Sequence, residues 1–547
     1  MTYDGEVRDN PWRSWAILSL SVGGGCVAFA FALGHPAPLV LAVPFLGYGG
    51  MLAYLGPRVI ATNLVAAAIN RGELDDARAR ISALRAKGTI AAYARTLDAH
   101  EAEICWREGD LEGVRRNAEQ GLRRRGLLSD AALFDPHLAA QRAVACAAQG
   151  DEAEAERSIA RVRSTPRAAP AALARAGLAE AMIAARRGDL ESLHRRLAEH
   201  HVLLTESLDP RGRALHRALR RMVAVRSSAA YRVPVKQEAA RVGARAWMAR
   251  VFPQAEDCVE VLDEPAPLPQ LDPRPPGPLP TVAARRSLGV RVVATWLALV
   301  AIFAVLYQLL DRFEPPELRV AHYLVIFVLF AAVFLAINVR RARAGRATLE
   351  EAGRALAMGE HARAEALARS LRESTNLWLA ASAALLLSQV LERRADLVGA
   401  LAECDRGLGF ASGTVADGVL LGHLVATRAR LYGALGRESE SDAELTRLTE
   451  KYPAFPYAAG AVLGTRLLRA IRRGDREEAT QLARARGEVL VGASIELLAE
   501  LTLAEAGEDR DARIDAVRQD LAQMPDVERW IRAAAPGFLE RTLPRRT

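Results

Sequence analysis

Lysine is nearly missing from this chain. Of 73 basic residues only Lys87, Lys236 and Lys451 are lysines, a bias of the kind that a GC-rich bacterial genome imposes. Cysteine is scarce as well. Cys26, Cys105, Cys146, Cys258 and Cys404 are odd in number, far apart and without CxxC spacing. That pattern excludes a disulfide framework and a zinc site, and it places the bulk of the chain in a reducing compartment. Aromatic residues make up only 5% while Ala, Leu, Arg and Glu dominate, so the sequence favours helix and offers little for long β-sheets. Also lacking is any phosphate-binding P-loop, dinucleotide-binding, zinc-protease or nucleophile-elbow motif. His194, His200 and His201 cluster, but none of their spacings sets two imidazoles at i, i+4 on a helix. The expectation is a chain that is not an enzyme, with no catalytic residue, cofactor or metal.

Charge of one sign does not dominate either. The net charge of +8 arises from 65 acidic residues spread among the basic ones, the pattern of solvated helix surfaces rather than of a nucleic-acid groove, so no nucleic-acid partner is expected. At 547 residues the chain exceeds what one core usually organises, and two or more domains are expected.

What is present is hydrophobic and repeated. From Ser14 to Pro57 no Asp, Glu, Lys or Arg occurs, and the run is broken only around Gly34–Pro38. Two helices of about 20 residues fit, enough for a bilayer core of roughly 30 Å. A second apolar run directly after the first argues against a cleaved signal peptide at Ala30-Phe31-Ala32. The arrangement returns as Val292–Leu310 and Val320–Val339, separated by a short polar loop. Four spanning helices in two hairpins are thus predicted. Arg8 and Arg13, Arg58, Arg285, Arg286 and Arg291, and Arg340, Arg341, Arg343 and Arg346 flank the same ends of the hairpins. The positive-inside rule therefore puts the termini and both large polar segments in the cytoplasm, under a bacterial inner membrane. Gly23-Gly24-Gly25 and Gly47-Tyr48-Gly49-Gly50 suit close helix packing within a hairpin.

Between the apolar runs a turn recurs. Gly72-Glu73, Gly109-Asp110, Gly150-Asp151 and Gly188-Asp189 are spaced by 37, 41 and 38 residues; Gly359-Glu360, Ala395-Asp396, Gly436-Arg437 and Gly474-Asp475 are spaced by 36, 41 and 38. Glycine ends one helix in a left-handed cap, and the acid starts the next where the helix dipole favours negative charge. At an offset of about 286 the halves overlie: Gly150 falls on Gly436, Arg186-Arg187-Gly188-Asp189 on Arg472-Arg473-Gly474-Asp475, and His137 with Arg142 on His423 with Arg428. Trp247 and Pro253 share their spacing with Trp530 and Pro536. Duplication of the whole unit is the economical explanation.

On these residues the sequence resembles the tetratricopeptide repeat (TPR) family. Leu445, Leu448, Tyr452-Pro453 and Pro456 resemble its closing helix and turn, and Trp106-Arg107-Glu108-Gly109-Asp110 its inter-helix turn, over roughly residues 60–230 and 345–525. The resemblance implies protein or peptide binding on a concave surface and brings no catalytic residue.

The predicted architecture is all-α, in two tandem units, each a two-helix transmembrane hairpin followed by a TPR-like helical-repeat array. Residues 1–13 form a cytoplasmic tail, 14–57 hairpin 1, 58–255 α-solenoid 1, 256–284 a linker, 285–340 hairpin 2 and 341–547 α-solenoid 2. Prolines at 265, 267, 269, 273, 275, 276, 278 and 280 make the linker an extended spacer. The expected function is a membrane-anchored scaffold or adaptor that holds protein partners in its arrays, with the lipid bilayer as its other contact. Partner-binding candidates are His137, Arg142, His423 and Arg428. The alternative is a component of a transport or export complex whose four helices contribute to a conduit.

Overall fold

The computed structural model describes residues 16, 17, 19–21, 23, 24, 27, 28, 37–88, 91–124, 131–166, 168–227, 244–258, 340, 342–374, 376–411, 418–486, 489–507 and 510–543. Among them the chain is all-α, and no strand occurs. The predicted hairpin 2 and the proline-rich linker lie outside the described residues, apart from Arg340 and residues 256–258.

Helix α1 (Ala37–Arg71) is the longest, 35 residues or about 52 Å at 1.5 Å per residue. It runs without a break through Pro57, where the sequence suggests that a membrane segment ends and an array begins. Its first part packs on the helical residues between 16 and 28. A side chain in place of Gly23 would meet Leu46 at 2.7 Å, and one in place of Gly49 would meet Leu20 at 2.8 Å. These two glycines permit the close approach of the two helices. Ile17, Met51 and Tyr54 are exposed. The last part of α1 is different: Val65, Ala68 and Ile69 are buried against Ile81, Leu97 and Ile104 of the array. Among the described residues one helical stretch, Gly49–Arg71, is long and apolar enough to cross a membrane.

After α1 come antiparallel helix pairs. α2 (Leu74–Ala86) pairs with the end of α1; then follow α3 (Ala91–Glu108) with α4 (Leu111–Arg123), α5 (Ala131–Gln149) with α6 (Glu152–Arg163), and α7 (Pro170–Arg186) with α8 (Leu190–Glu199). The first array closes with α9 (His201–Ser207), α10 (Pro210–Ser227) and α11 (Ala244–Val251). The second begins with α12 (342–357) and α13 (His361–Leu371). It continues as α14 (Leu377–Arg393) with α15 (Leu397–Ala411), α16 (Gly418–Ala434) with α17 (Glu438–Lys451), α18 (Ala458–Arg473) with α19 (Arg476–Ala485), and α20 (Ala493–Glu505) with α21 (Arg510–Gln523). Helices α22 (Pro525–Ala534) and α23 (Phe538–Thr542) complete it.

The turns behave as the sequence predicts. Asp110 N–H bonds to the Cys105 carbonyl and Gly109 N–H to that of Trp106, and the same pair of bonds joins Asp475 to Ala470 and Gly474 to Ile471. These bonds satisfy carbonyls that a helix end leaves open. The carboxylates of Asp110, Asp151, Asp189, Asp396 and Asp475 then accept the backbone N–H three residues on. Glu73 and Glu360, one methylene longer, make no such cap bond.

Alanine carries much of the packing. Buried Ala139, Ala140, Ala143, Ala147, Ala176 and Ala179 let α5 and α7 lie close, and Ala380, Ala381 and Ala384 do the same for α14. Each array is sealed by a returning tryptophan. Trp247 on α11 donates its indole N–H to the Trp106 carbonyl at 2.7 Å, and Trp530 on α22 donates to Glu392 Oε1 at 3.0 Å. Residues 106 and 392 are 286 apart, so the two tryptophans dock on corresponding positions of α3 and α14. Burying such an indole removes 150–250 Å² from water, on the order of 4 to 6 kcal/mol.

Candidate functional site

His137 and His423 stand on α5 and α16, facing inward, and both line the same cavity. Arg142 and Arg428, five residues on, point to the other side of their helices. Arg142 reaches Glu119 on α4 at 3.1 Å and also pairs with Glu154 on α6. Arg428 contacts Asp405 on α15 at 3.0 Å, Glu444 on α17 at 3.5 Å and the Tyr432 hydroxyl at 2.9 Å. Each arginine therefore ties its helix to the outer helices before and after it. The structure separates the His/Arg pairs: the histidines face the cavity, and the arginines are held inside the arrays by ion pairs.

The cavity has a volume of 950 Å³ and lies between the two arrays. Its wall comes mainly from the inner helix of successive pairs, α1, α3, α5 and α7 on one side and α12, α14, α16, α18 and α20 on the other, with α9, the start of α10 and α22 adding to it. His100, Glu103 and Arg107 fall on one face of α3 because their spacings of three and four residues match one helical turn.

On the first wall the centre is Arg175 of α7, 8% exposed. It pairs with Glu103 and, at 3.1 Å, with Asp209. Asp209 begins α10, where its carboxylate accepts the backbone N–H of Gly212 at 3.0 Å and the Trp106 indole at 3.2 Å. Burial would push the Asp209 carboxyl up; the charges of Arg175 and Arg107 and the Gly212 N–H outweigh it and hold the group at about 2. The nearby imidazoles stay neutral. Burial, with the Arg175 charge, brings His137 down to about 3, and burial brings His100 to about 4.

On the second wall Arg430 grips Glu392 with two bonds of 2.8 and 2.7 Å. His423 meets the Phe455 ring edge-on at 4.8 Å between centroids and lies 5.3 Å from Tyr457. Burial lowers this histidine to about 4. Across the whole wall Arg107, Arg175, Arg213, Arg393 and Arg430 are balanced by Glu103, Glu206, Asp209, Glu392 and Asp526. Among the buried polar atoms of cavity-lining residues, Arg175 Nη1, His361 Nδ1 and Thr465 Oγ1 have no hydrogen-bond partner among the described residues.

Two seams join the arrays. At one, Asn70 of α1 donates to the Pro456 carbonyl at 3.0 Å, and its own carbonyl accepts from Leu490 N–H at 3.4 Å. At the other, Arg393 pairs with Glu206 at 2.6 Å, Arg217 with Glu496 at 2.9 Å, and Arg220 with Asp520. Burial opposes ionisation of Glu496, but Arg486, Arg217 and Arg213 together hold it at about 2. His201 and His216, 5.8 Å apart and each 3% exposed, lie beside Arg220 in this second seam.

Sequence reasoning identified the two histidines and missed the charged groups around them. The 100/103/107 and 386/389/393 spacings were the available signal, since both sets are inward faces of long helices. Arg175, Asp209 and Glu206 carry no such local mark; the curl of the array and the meeting of the arrays bring them to the wall. No protein-family model matches this chain, and comparison with curated proteins and with solved structures finds no match.

Proposed function

We propose that this chain is a membrane-anchored, non-catalytic scaffold that holds a segment of a partner polypeptide in the cavity between its two helical arrays. The observation that carries the reading is the cavity wall itself. Its 950 Å³ lies at the upper end of the range for ligand pockets. Its formal charges balance, which suits a peptide and disfavours a polyanion. Polar Gln389 and Ser494 share the wall with Leu386, Phe455 and Ile495, the kind of mixture that an extended peptide, with its amides and side chains, can satisfy.

The membrane anchor is supported by the glycine-packed hairpin and by exposure. Among the described residues eight large hydrophobic side chains are exposed, and Ile17, Leu20, Leu46, Met51 and Tyr54 of that hairpin are five of them. In water such a belt is costly; in lipid it is solvated. The apolar runs at 292–310 and 320–339 complete a four-span anchor in this reading, with arginine-rich flanks setting the arrays on the cytoplasmic side of a bacterial inner membrane. The corresponding roles of Trp247 and Trp530, and of Arg142 and Arg428, support an internal duplication of a TPR-like unit.

Filling the cavity tests the assignment. Gln389→Trp places an indole on the inner face of α14, whereas Gln481→Trp alters the exposed side of α19. Proteins recovered with the tagged full chain from native membranes are expected to include a species lost with Gln389→Trp and kept with Gln481→Trp. Recovery unchanged by the cavity-filling variant contradicts the proposal.

A further inference from the structure

We propose that the cleft where α1 leaves its uncharged stretch is a binding site for an anionic phospholipid, with the phosphate held by Arg58 and Lys87 and the first methylenes of one acyl chain in the cleft. The proposal rests on the membrane anchoring argued above.

The cleft has a volume of 150 Å³, and its floor and sides include Pro57, Ala61, Leu84 and Leu97 from α1, α2 and α3. That volume gives room for a group of about the size of benzene. Arg58 and Lys87 also line it. These two cations differ from most basic residues of the arrays, which face carboxylates. Arg58 spends one N–H on the Tyr54 carbonyl at 2.8 Å and stacks its guanidinium over the Tyr54 ring at 3.7 Å. It has no acidic partner among the described residues, and neither does exposed Lys87.

Position decides the source of the anion. Arg58 is the first charged residue after the 44 uncharged ones of Ser14–Pro57, so the cleft opens at the level where hydrocarbon gives way to headgroups. Tyr54 and Tyr93 bracket it, and Tyr93 reaches the Leu55 carbonyl at 3.5 Å. Aromatic rings with a polar end sit at that depth. A free phosphate would use the two cations but leave the apolar cleft unfilled. A phospholipid uses both.

The test reconstitutes the full chain in phosphatidylcholine bilayers doped with phosphatidylglycerol, extracts it, and counts retained phosphatidylglycerol by native mass spectrometry. An alkaline wash before extraction reports anchoring separately. Neutralising one interfacial cation is expected to weaken retention about fivefold, so Arg58→Gln and Lys87→Gln each lose about that factor and the double variant about 25-fold. Lys87→Arg is expected to retain the lipid, and Leu84→Trp, which fills the cleft, to lose it. Retention by the double Gln variant equal to the parent, in protein that survives the wash, overturns the site while leaving the anchor intact. Release of the parent protein by the wash overturns the anchor and the site together. Displacement of the lipid by inorganic phosphate alone also overturns the proposal, because it assigns the site to a free anion.

Discussion

Ala395 holds φ at 65°, the one positive value outside glycine among the described residues, and it does so where other turns of the same kind use Gly109, Gly150 and Gly474. A β-carbon in that conformation costs roughly 1–2 kcal/mol, partly offset by the lower entropy of alanine in the unfolded chain. Ala395→Gly is therefore expected to raise stability by about 0.5–1 kcal/mol, and Gly474→Ala, where open space leaves backbone strain as the only penalty, to lower it by about as much. Thermal unfolding of the detergent-solubilised protein checks both. Shifts in the opposite directions would mean that this turn does not carry the left-handed residue. The strain was legible in advance, because Ala395-Asp396 stands in register with the glycine turns. Caps were less so: glutamate and aspartate read alike in sequence, yet only the shorter side chain closes the bond back to the third N–H.

At the scale of elements, the helix order followed from local chemistry, since a glycine cap and an acidic start are written within a few residues of each other. Further left-handed glycines, Gly88 after α2, Gly507 between α20 and α21 and Gly537 before α23, escaped the pattern because none has a matching glycine turn in the other array. Where elements from different arrays meet, sequence gave no warning. His201 on α9 and His216 on α10 face Arg213, Arg217 and Arg220 of α10, with Glu496 and Glu500 of α20 and Arg513 and Asp520 of α21 across the seam. Burial, reinforced by Arg220, brings His201 down to about 4 and His216 well below its ordinary range. Folded-state values lie below the unfolded value of about 6.5, so the unfolded chain takes up these protons first. The stability contributed by keeping them neutral is complete above about pH 6.5 and declines as pH falls from there toward about 4, by up to about 1.4 kcal/mol per pH unit for each histidine. The unfolding midpoint is expected to drop through that window, to which His100, His137 and His423 also contribute, and His201→Gln with His216→Gln to make the drop shallower by the seam's share. A parent profile that stays flat between pH 6.5 and 4 would contradict the buried, neutral seam. Asp209 and Glu496, both held at about 2, act in a lower window: their stabilisation is present above about 4 and is lost as pH falls through about 2.

For the whole molecule, the sequence pointed to two similar arrays with an apolar hairpin before each, but it suggested open grooves. The structure joins the inner faces instead. Asn70 bonding across to Pro456, and Arg393 to Glu206, span sequence separations that no periodicity encodes. Helix α1 runs from the apolar residues before Arg58 into the first array through one unbroken backbone. Such a body carries a charge-balanced cleft between its arrays, the slot proposed above for a partner segment. The most direct test of that account is residue-resolved photocrosslinking in native membranes from a photoreactive amino acid placed at position 389, in the cavity, and at position 481, on the outer face. The account predicts a discrete polypeptide adduct from 389 that is absent from 481. Equal labelling from both positions, or no polypeptide adduct from 389, would contradict it.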